Sequence, residues 1–105
     1  MVDANPFDHA AIDDVIHGRI RLGTVAYLSA VNSALFSEVR DKVGATDGNL
    51  SAHLRKLEDA GYVQVEKSFV NRRPQTRLAL TRAGRNAWSE WLDRMELLRR
   101  AAASD

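Results

Sequence analysis

Six residues between positions 48 and 56 have types and spacing suited to reading a polyanion. At 100° per residue, Leu50, Leu54 and Leu57 fall within a narrow arc that must face a core. Gly48, Asn49, Ser51, Ala52, Arg55 and Lys56 lie on the opposite side. Those residues are small or short near the N-terminal end and cationic one to two turns later. Small side chains let a helix backbone enter a groove ~12 Å wide, Asn and Ser can bond base edges, and Arg can hold guanine or phosphate. Free N–H groups at the helix start offer a further anchor for phosphate. An ordinary amphipathic surface helix would show the same arc of leucines, so the neighbouring residues decide between the two.

The second cationic group is Asn71-Arg72-Arg73-Pro74, two adjacent guanidiniums on a loop stiffened by proline. Arginines on a protruding loop suit a minor groove or the flanking phosphates. Over the whole chain the charge is nearly balanced, with 15 Lys+Arg against 14 Asp+Glu in 105 residues. By position it is not. Residues 1–18 carry Asp3, Asp8, Asp13 and Asp14 with no Lys or Arg. Residues 66–85 carry Lys67, Arg72, Arg73, Arg77, Arg82 and Arg85 against Glu66 alone. A basic stretch of this kind is often a solvated face, and its placement in the fold determines its meaning.

Periodicity supplies the elements that position these groups. Apolar residues at helical spacing predict a first helix over 7–16 and a second over 19–31, separated by Gly18. Residues 34–36 form a short apolar bridge. Ser37, followed by Glu38, reads as the N-cap of a short third helix that Gly44 stops. Asp47-Gly48 would mark a hairpin between strands, but the leucine spacing after it is helical. Thr46 or Asp47 is therefore an N-cap and Gly61 a stop. Alternation then predicts strands over 62–66 and 76–80, joined by a basic tip over 67–75. Thr81 caps a last helix reaching about Arg100. The order predicts a mainly α fold with a small β-hairpin (α+β): a winged helix-turn-helix, with a recognition helix at about 47–60 and a wing at 67–76.

Other chemistries find little support. There are no cysteines, hence no disulfide, thiolate metal site or thiol switch. His9, Asp13 and His17 would share a helical face at i, i+4 and i+8 and could offer zinc or nickel ligands, but an exposed polar face is the expected reading, with no metal or other cofactor. No nucleophile-base arrangement, phosphate-cradling glycine loop or carboxylate pair stands out, so no enzyme is expected. No apolar run reaches the ~20 residues of a membrane span and no signal-peptide pattern is present, so a cytoplasmic location is expected.

In the last helix Trp88, Trp91, Met95 and Leu98 recur at intervals of three, four and three, a seam that Leu92 and Ala87 widen. With Phe7, Ile12 and Ile16 of the first helix, Trp88, Trp91, Leu92, Met95 and Leu98 are the expected interface of a homodimer. One domain over 1–105 is expected, with about 1–18 and 86–105 contributing dimerisation helices.

The residues also carry a family resemblance. Phe36-Ser37-Glu38-Val39-Arg40, the run from Thr46 to Glu58, Gly61-Tyr62-Val63, Lys67-Ser68-Phe69, Arg72-Arg73-Pro74, Leu80-Thr81 and Ala83-Gly84-Arg85 resemble the small winged-helix regulators related to the MarR and ArsR families. The match runs from about residue 12 to residue 85. It departs from the family pattern at Asn71, where many MarR-type wings carry Asp, and in its short length. The resemblance implies a homodimeric transcription factor on a pseudo-palindromic operator. It implies that Asn49, Ser51, Ala52, His53 and Arg55 lie on the recognition helix, and Arg72 and Arg73 on the wing.

Thr46, at the helix start, joins this expected DNA-binding set, and Lys56, Lys67 and Arg77 are expected to add phosphate contacts. Two alternatives remain open: a winged-helix protein-interaction module, or a DNA-binding regulator gated by a small-molecule or metal effector whose identity is unknown.

Overall fold

The computed structural model describes residues 5–103. Its elements are α1 (Arg19–Ser29), β1 (Ala34–Leu35), α2 (Phe36–Val43), α3 (Asp47–Asp59), β2 (Val63–Val70), β3 (Arg73–Leu80) and α4 (Arg82–Ala103). The strands form one antiparallel sheet in the order β1-β3-β2. Four helices with this sheet are a winged helix: α2, the turn at 44–46 and α3 are the helix-turn-helix, and β2 with β3 are the wing.

The core is where the apolar faces meet. Val25 and Leu28 of α1, Ala34 of β1, Val39 of α2, Leu50, Leu54 and Leu57 of α3, and Val63, Leu78 and Leu80 of the sheet make one buried cluster. The three leucines of α3 are thus turned inward, which leaves their opposite face to solvent.

Local chemistry sets the helix ends. Gly44 takes a left-handed conformation (φ 71°) after α2, and the N–H groups of Gly44 and Ala45 both bond the carbonyl of Arg40. The Oγ1 of Thr46 accepts from the Asn49 N–H at 3.1 Å and starts α3. Past its end, Gly61 is left-handed (φ 80°) and the Tyr62 N–H bonds the Leu57 carbonyl at 2.9 Å. These turns appear where glycine and threonine place them. Ser37, however, does not cap α2. The cap position is Leu35, with no side-chain bond, and Phe36 is already helical. Likewise α1 ends at Ser29 rather than Val31, as the Ser29 hydroxyl bonds back to the Ala26 carbonyl at 2.6 Å and the last turn tightens.

The expected helix over 7–16 is absent. Only His9–Ala11 forms a single 3-10 turn, capped by the Asp8 side chain, and Ile12 after it is extended. Asp13 then closes a turn of its own, its Oδ1 accepting from the N–H groups of Val15 (2.8 Å) and Ile16 (3.2 Å). Short acidic side chains that bond nearby N–H groups compete with a helix, and here they win. His9, Asp13 and His17 consequently share no helical face, and no cluster of metal-ligating side chains forms among the described residues. Asp13 also accepts the Tyr62 hydroxyl proton at 2.7 Å. That bond, with partial burial, pushes the phenol up to about 12. The N-terminal segment is thereby tied across the start of β2.

The wing is longer than alternation suggested. Strands β2 and β3 pair without interruption from Val63–Leu80 to Val70–Arg73, leaving a two-residue turn at Asn71 and Arg72. Both turn residues have positive φ, 52° and 66°, as a hairpin matching the strand twist requires. Backbone pairing carries the strands past the core, so side chains there do not alternate in burial.

Strand β1 is two residues long, too short for any period, and exists through pairing with Arg77 and Leu78. At the other end α4 runs three residues past Arg100. Of the four N-terminal aspartates, Asp3 lies outside the described residues. No described helix is long and apolar enough to cross a membrane.

One close approach joins the units. The Tyr62 carbonyl accepts from the Thr81 N–H at 3.0 Å, the Thr81 hydroxyl donates to the Gly61 carbonyl at 2.6 Å, and its oxygen accepts from the Gly84 N–H at 3.0 Å. A Cβ on Gly84 would sit 2.1 Å from the Tyr62 carbonyl oxygen. Gly84→Ala is therefore expected to cost about 1–3 kcal/mol, read as a fall in melting temperature of several degrees. Gly48→Ala, in a helix with nothing within 4 Å of the new methyl, is expected to be neutral or to stabilise by about 0.5–1 kcal/mol. Equal melting temperatures for the two variants would refute this packing.

Candidate nucleic-acid interface

The outer face of α3 is solvent-exposed along its length. Thr46, Gly48, Asn49, Ser51, Ala52, Arg55 and Lys56 are all exposed, and Leu50, Leu54 and Leu57 lie beneath them. Two braces hold the helix in place. At its start, Arg40 of α2 bonds Asp47 through Nη1 at 2.9 Å and the neighbouring Asp41 through Nε at 2.9 Å. This fixes the two helices of the helix-turn-helix across their turn. Neutralising Asp47 also reduces the negative charge beside Asn49.

The second brace involves His53, which is half-buried and turned toward α1. Arg21 donates from Nη1 to His53 Nδ1 at 2.8 Å and from Nε to the Val15 carbonyl at 2.5 Å. A guanidinium has no acceptor, so Nδ1 must be unprotonated and the ring proton resides on Nε2. Partial burial, then the charge of Arg21, then that of Lys56 hold the imidazole below its ordinary pKa. No periodicity in the sequence points to Arg21, since its partners lie 6 and 32 residues away.

The wing places its residues on two faces. Leu78 and Leu80 are buried, so Arg77, Arg73 and Gln75 point to the other side of β3. By the same alternation Val65 and Lys67 of β2 share the core-side face, and with Ser51 and Arg55 they line an open cleft between α3 and the wing. Asp47, Glu58 and Thr76 also line it. Arg72 and Arg73 are exposed at the tip. Arg77 does not join this surface. It sits opposite Glu66 near the wing root, on the far face of the sheet, and donates to the Ser33 hydroxyl at 3.0 Å. The geometry thus brings Ser51, Arg55 and Lys67 together, leaves Arg72 beyond them in the turn, and puts Arg73 and Arg77 on the far face of β3.

The apolar residues expected to pair two copies divide. Ile16 is fully buried in its own chain and is unavailable to a partner, because the Asp13 turn folds it inward. Phe7 is 63% exposed and Ile12 half-buried. On α4, only Gly84 and Ala87 are buried. Trp88 and Trp91 stack with ring centroids 5.5 Å apart and planes 5° from parallel. Met95 and Leu98 are half-buried, and Leu92 and Leu97 are exposed.

Comparison with known proteins agrees with this architecture. A family of winged helix DNA-binding domains matches residues 20–98. An uncharacterized protein of Methanocaldococcus jannaschii is 32% identical over 78 residues, covering 74% of this chain and 85% of that one. Three solved structures share the fold. A transcriptional regulator homologue from Pyrococcus horikoshii superimposes with a TM-score of 0.79 at 27% identity, covering 84% of this chain and 87% of the other. A MarR-family regulator from Silicibacter pomeroyi gives 0.65 at 22%, covering 79% and 55%. The M. tuberculosis regulator MOSR, solved in complex with DNA, gives 0.68 at 22%, covering 91% and 69%.

The brace on α3 has a measurable signature. In proton NMR, His53 is expected to titrate below about 6.5, and Arg21→Met is expected to move its midpoint upward. Because the folded pKa is lowered, the stability this site contributes is present above about pH 6.5 and is lost as pH falls toward the folded midpoint. A midpoint unchanged by Arg21→Met would show that the contact does not hold the ring. The chain belongs to the family of winged helix DNA-binding domains, and its fold is that of the MarR-type transcriptional regulators.

Proposed function

We propose that this protein is a transcriptional regulator that binds DNA as a homodimer on a pseudo-palindromic operator. In this reading α3 enters the major groove and the wing reaches the flanking minor groove. The observation that carries it is the exposed polar and cationic surface of α3 and the facing side of the wing, over Asn49, Ser51, Ala52, Arg55, Lys56 and Lys67, with Arg72 and Arg73 exposed at the wing tip. Asn49 and Ser51 lie toward the N-terminal end of α3, where base edges come within reach, and Arg55 and Lys56 follow one to two turns later, at phosphate distance. Thr46 spends its hydroxyl on the helix cap, so its role is to present Asn49. His53 is occupied by Arg21, which makes it a positioning residue for α3. The role is binding, with no catalytic step.

Dimerisation is supported by α4. Its 22 residues span about 33 Å, and the molecule is drawn out to 60 Å along one axis and 27 Å across. A small body cannot cover such a helix, and Leu92 and Leu97 remain 44% and 43% exposed beside the tryptophan stack. A twofold pairing through α4 would set two α3 helices about one DNA turn, ~34 Å, apart.

The assignment of readers and anchors is testable by quantitative binding to duplexes over a range of salt. Asn49→Ala is expected to cost about 1–3 kcal/mol at particular base pairs and little at others. Arg72→Ala is expected to weaken all sequences and to reduce the salt slope by about 1. A uniform loss for Asn49→Ala would mean that it contacts phosphate, and an unchanged slope for Arg72→Ala would remove the wing tip from the interface.

A further inference from the structure

The wing carries a large apolar side chain that neither the core nor the charged tip explains. Phe69 is 76% exposed and Val70 beside it 46%, whereas the apolar residues at the root of the same hairpin, Val63, Leu78 and Leu80, are buried. An exposed phenyl ring on a β-hairpin is a liability unless something covers it.

Its placement is specific. Alternation along β2 puts Phe69 on the same face as Val65 and Lys67, the two β2 residues that line the cleft beside α3. Phe69 therefore continues that wall toward the tip, about 7 Å beyond Lys67. Its cross-strand neighbour is Pro74, and the hairpin closes through a two-residue turn. In a two-residue hairpin the pair next to the closing pair makes no mutual N–H bonds, so Pro74 leaves the ladder intact while stiffening it. The ring is thus presented on a rigid strand, with little freedom left to lose on binding.

The surroundings select the partner. Lys67 lies on the same face below the ring, Arg72 stands in the turn, and Arg73 stands at the tip on the opposite face. The carboxylate of the hairpin, Glu66, is on the opposite face, across from Arg77 in the register, and of the two that line the α3 side of the cleft, Asp47 and Glu58, the first is held by Arg40. An apolar protein surface would have to desolvate Lys67 and crowd the charge of the tip to reach the ring. A nucleic-acid groove would not, since its rims are phosphates and its walls are the C–H faces of deoxyribose. We propose that Phe69 is a DNA-contacting residue: the wing enters the minor groove with Phe69 against the sugar walls, and the arginines hold the phosphates on either side. The proposal rests on the DNA-binding reading above and adds an apolar contact to it.

The test uses the full chain, a 30-base-pair duplex with A·T-rich flanks and the variants Phe69→Ala, Phe69→Leu and Arg72→Ala, each titrated at several salt concentrations. Phe69→Ala is expected to weaken binding at least about tenfold with an unchanged salt slope, since no ion is released by an apolar contact. Phe69→Leu is expected to recover most of that loss. The high exposure of the ring leaves the fold unaffected, and a matched melting temperature for Phe69→Ala verifies it.

If the wild type binds and Phe69→Ala binds equally well, the proposal is overturned while DNA binding stands. A lowered salt slope for Phe69→Ala, or a change in its sedimentation without DNA, also overturns it, showing a displaced wing or a protein contact. If the wild type shows no binding to any duplex, the DNA-binding reading itself falls.

Discussion

The structure turns on the approach of α4 to the end of α3. Gly61 and Tyr62 end the helix that bears the reading face, and Tyr62 begins the turn into β2. Thr81 and Gly84 begin α4, immediately after β3. The Tyr62 carbonyl accepts from Thr81 and lies where only a glycine can stand opposite it. In one place, therefore, the chain fixes the end of α3, both strands at the root of the wing and the direction of the long helix. A dimer built on α4 would pass its geometry directly to the DNA-facing surfaces through this joint.

Around it, polar side chains are spent on position as much as on recognition. Asp13 ties its own turn to Tyr62, Arg21 spans the N-terminal segment and His53, and Arg40 joins α2 to Asp47. These bonds cost the N-terminal segment its helix, but they hold α3 from both sides. The residues exposed on the outer face of α3 are the ones suited to base edges and phosphates. Binding surfaces that are rigid before they meet a ligand lose less entropy on association. That logic also applies to the wing, whose turn keeps Arg72 at a positive φ that an arginine adopts only when its surroundings compel it.

Much of this was legible in the sequence because it depends on short-range rules. The leucine spacing of α3, its Thr46 cap, the stops at Gly44 and Gly61, and the basic wing follow from residues within a few positions of each other. What escaped depends on contacts far along the chain. Residues 7–16 have a helical apolar pattern, yet Asp8 and Asp13 each capture nearby N–H groups and break it. Ile16 is expected on the dimer interface from that helix and is instead buried within its own chain. β1 has two residues and exists through its pairing with β3. The full length of the wing was hidden because strands beyond a core need not alternate. Arg73 and Arg77 share the basic run with Arg72, and only the strand register shows that both lie on the face of β3 turned from the cleft.

Selection of bound duplexes from a random DNA pool reads sequence specificity and twofold symmetry together in the enriched sequences. A dimer paired through α4 is expected to enrich a consensus of two inverted half-sites whose centres are about one helical turn, ~10 base pairs, apart. Enrichment of a single half-site without a dyad would contradict the twofold arrangement through α4, and no enrichment at all would contradict the reading of α3 as a sequence-specific helix.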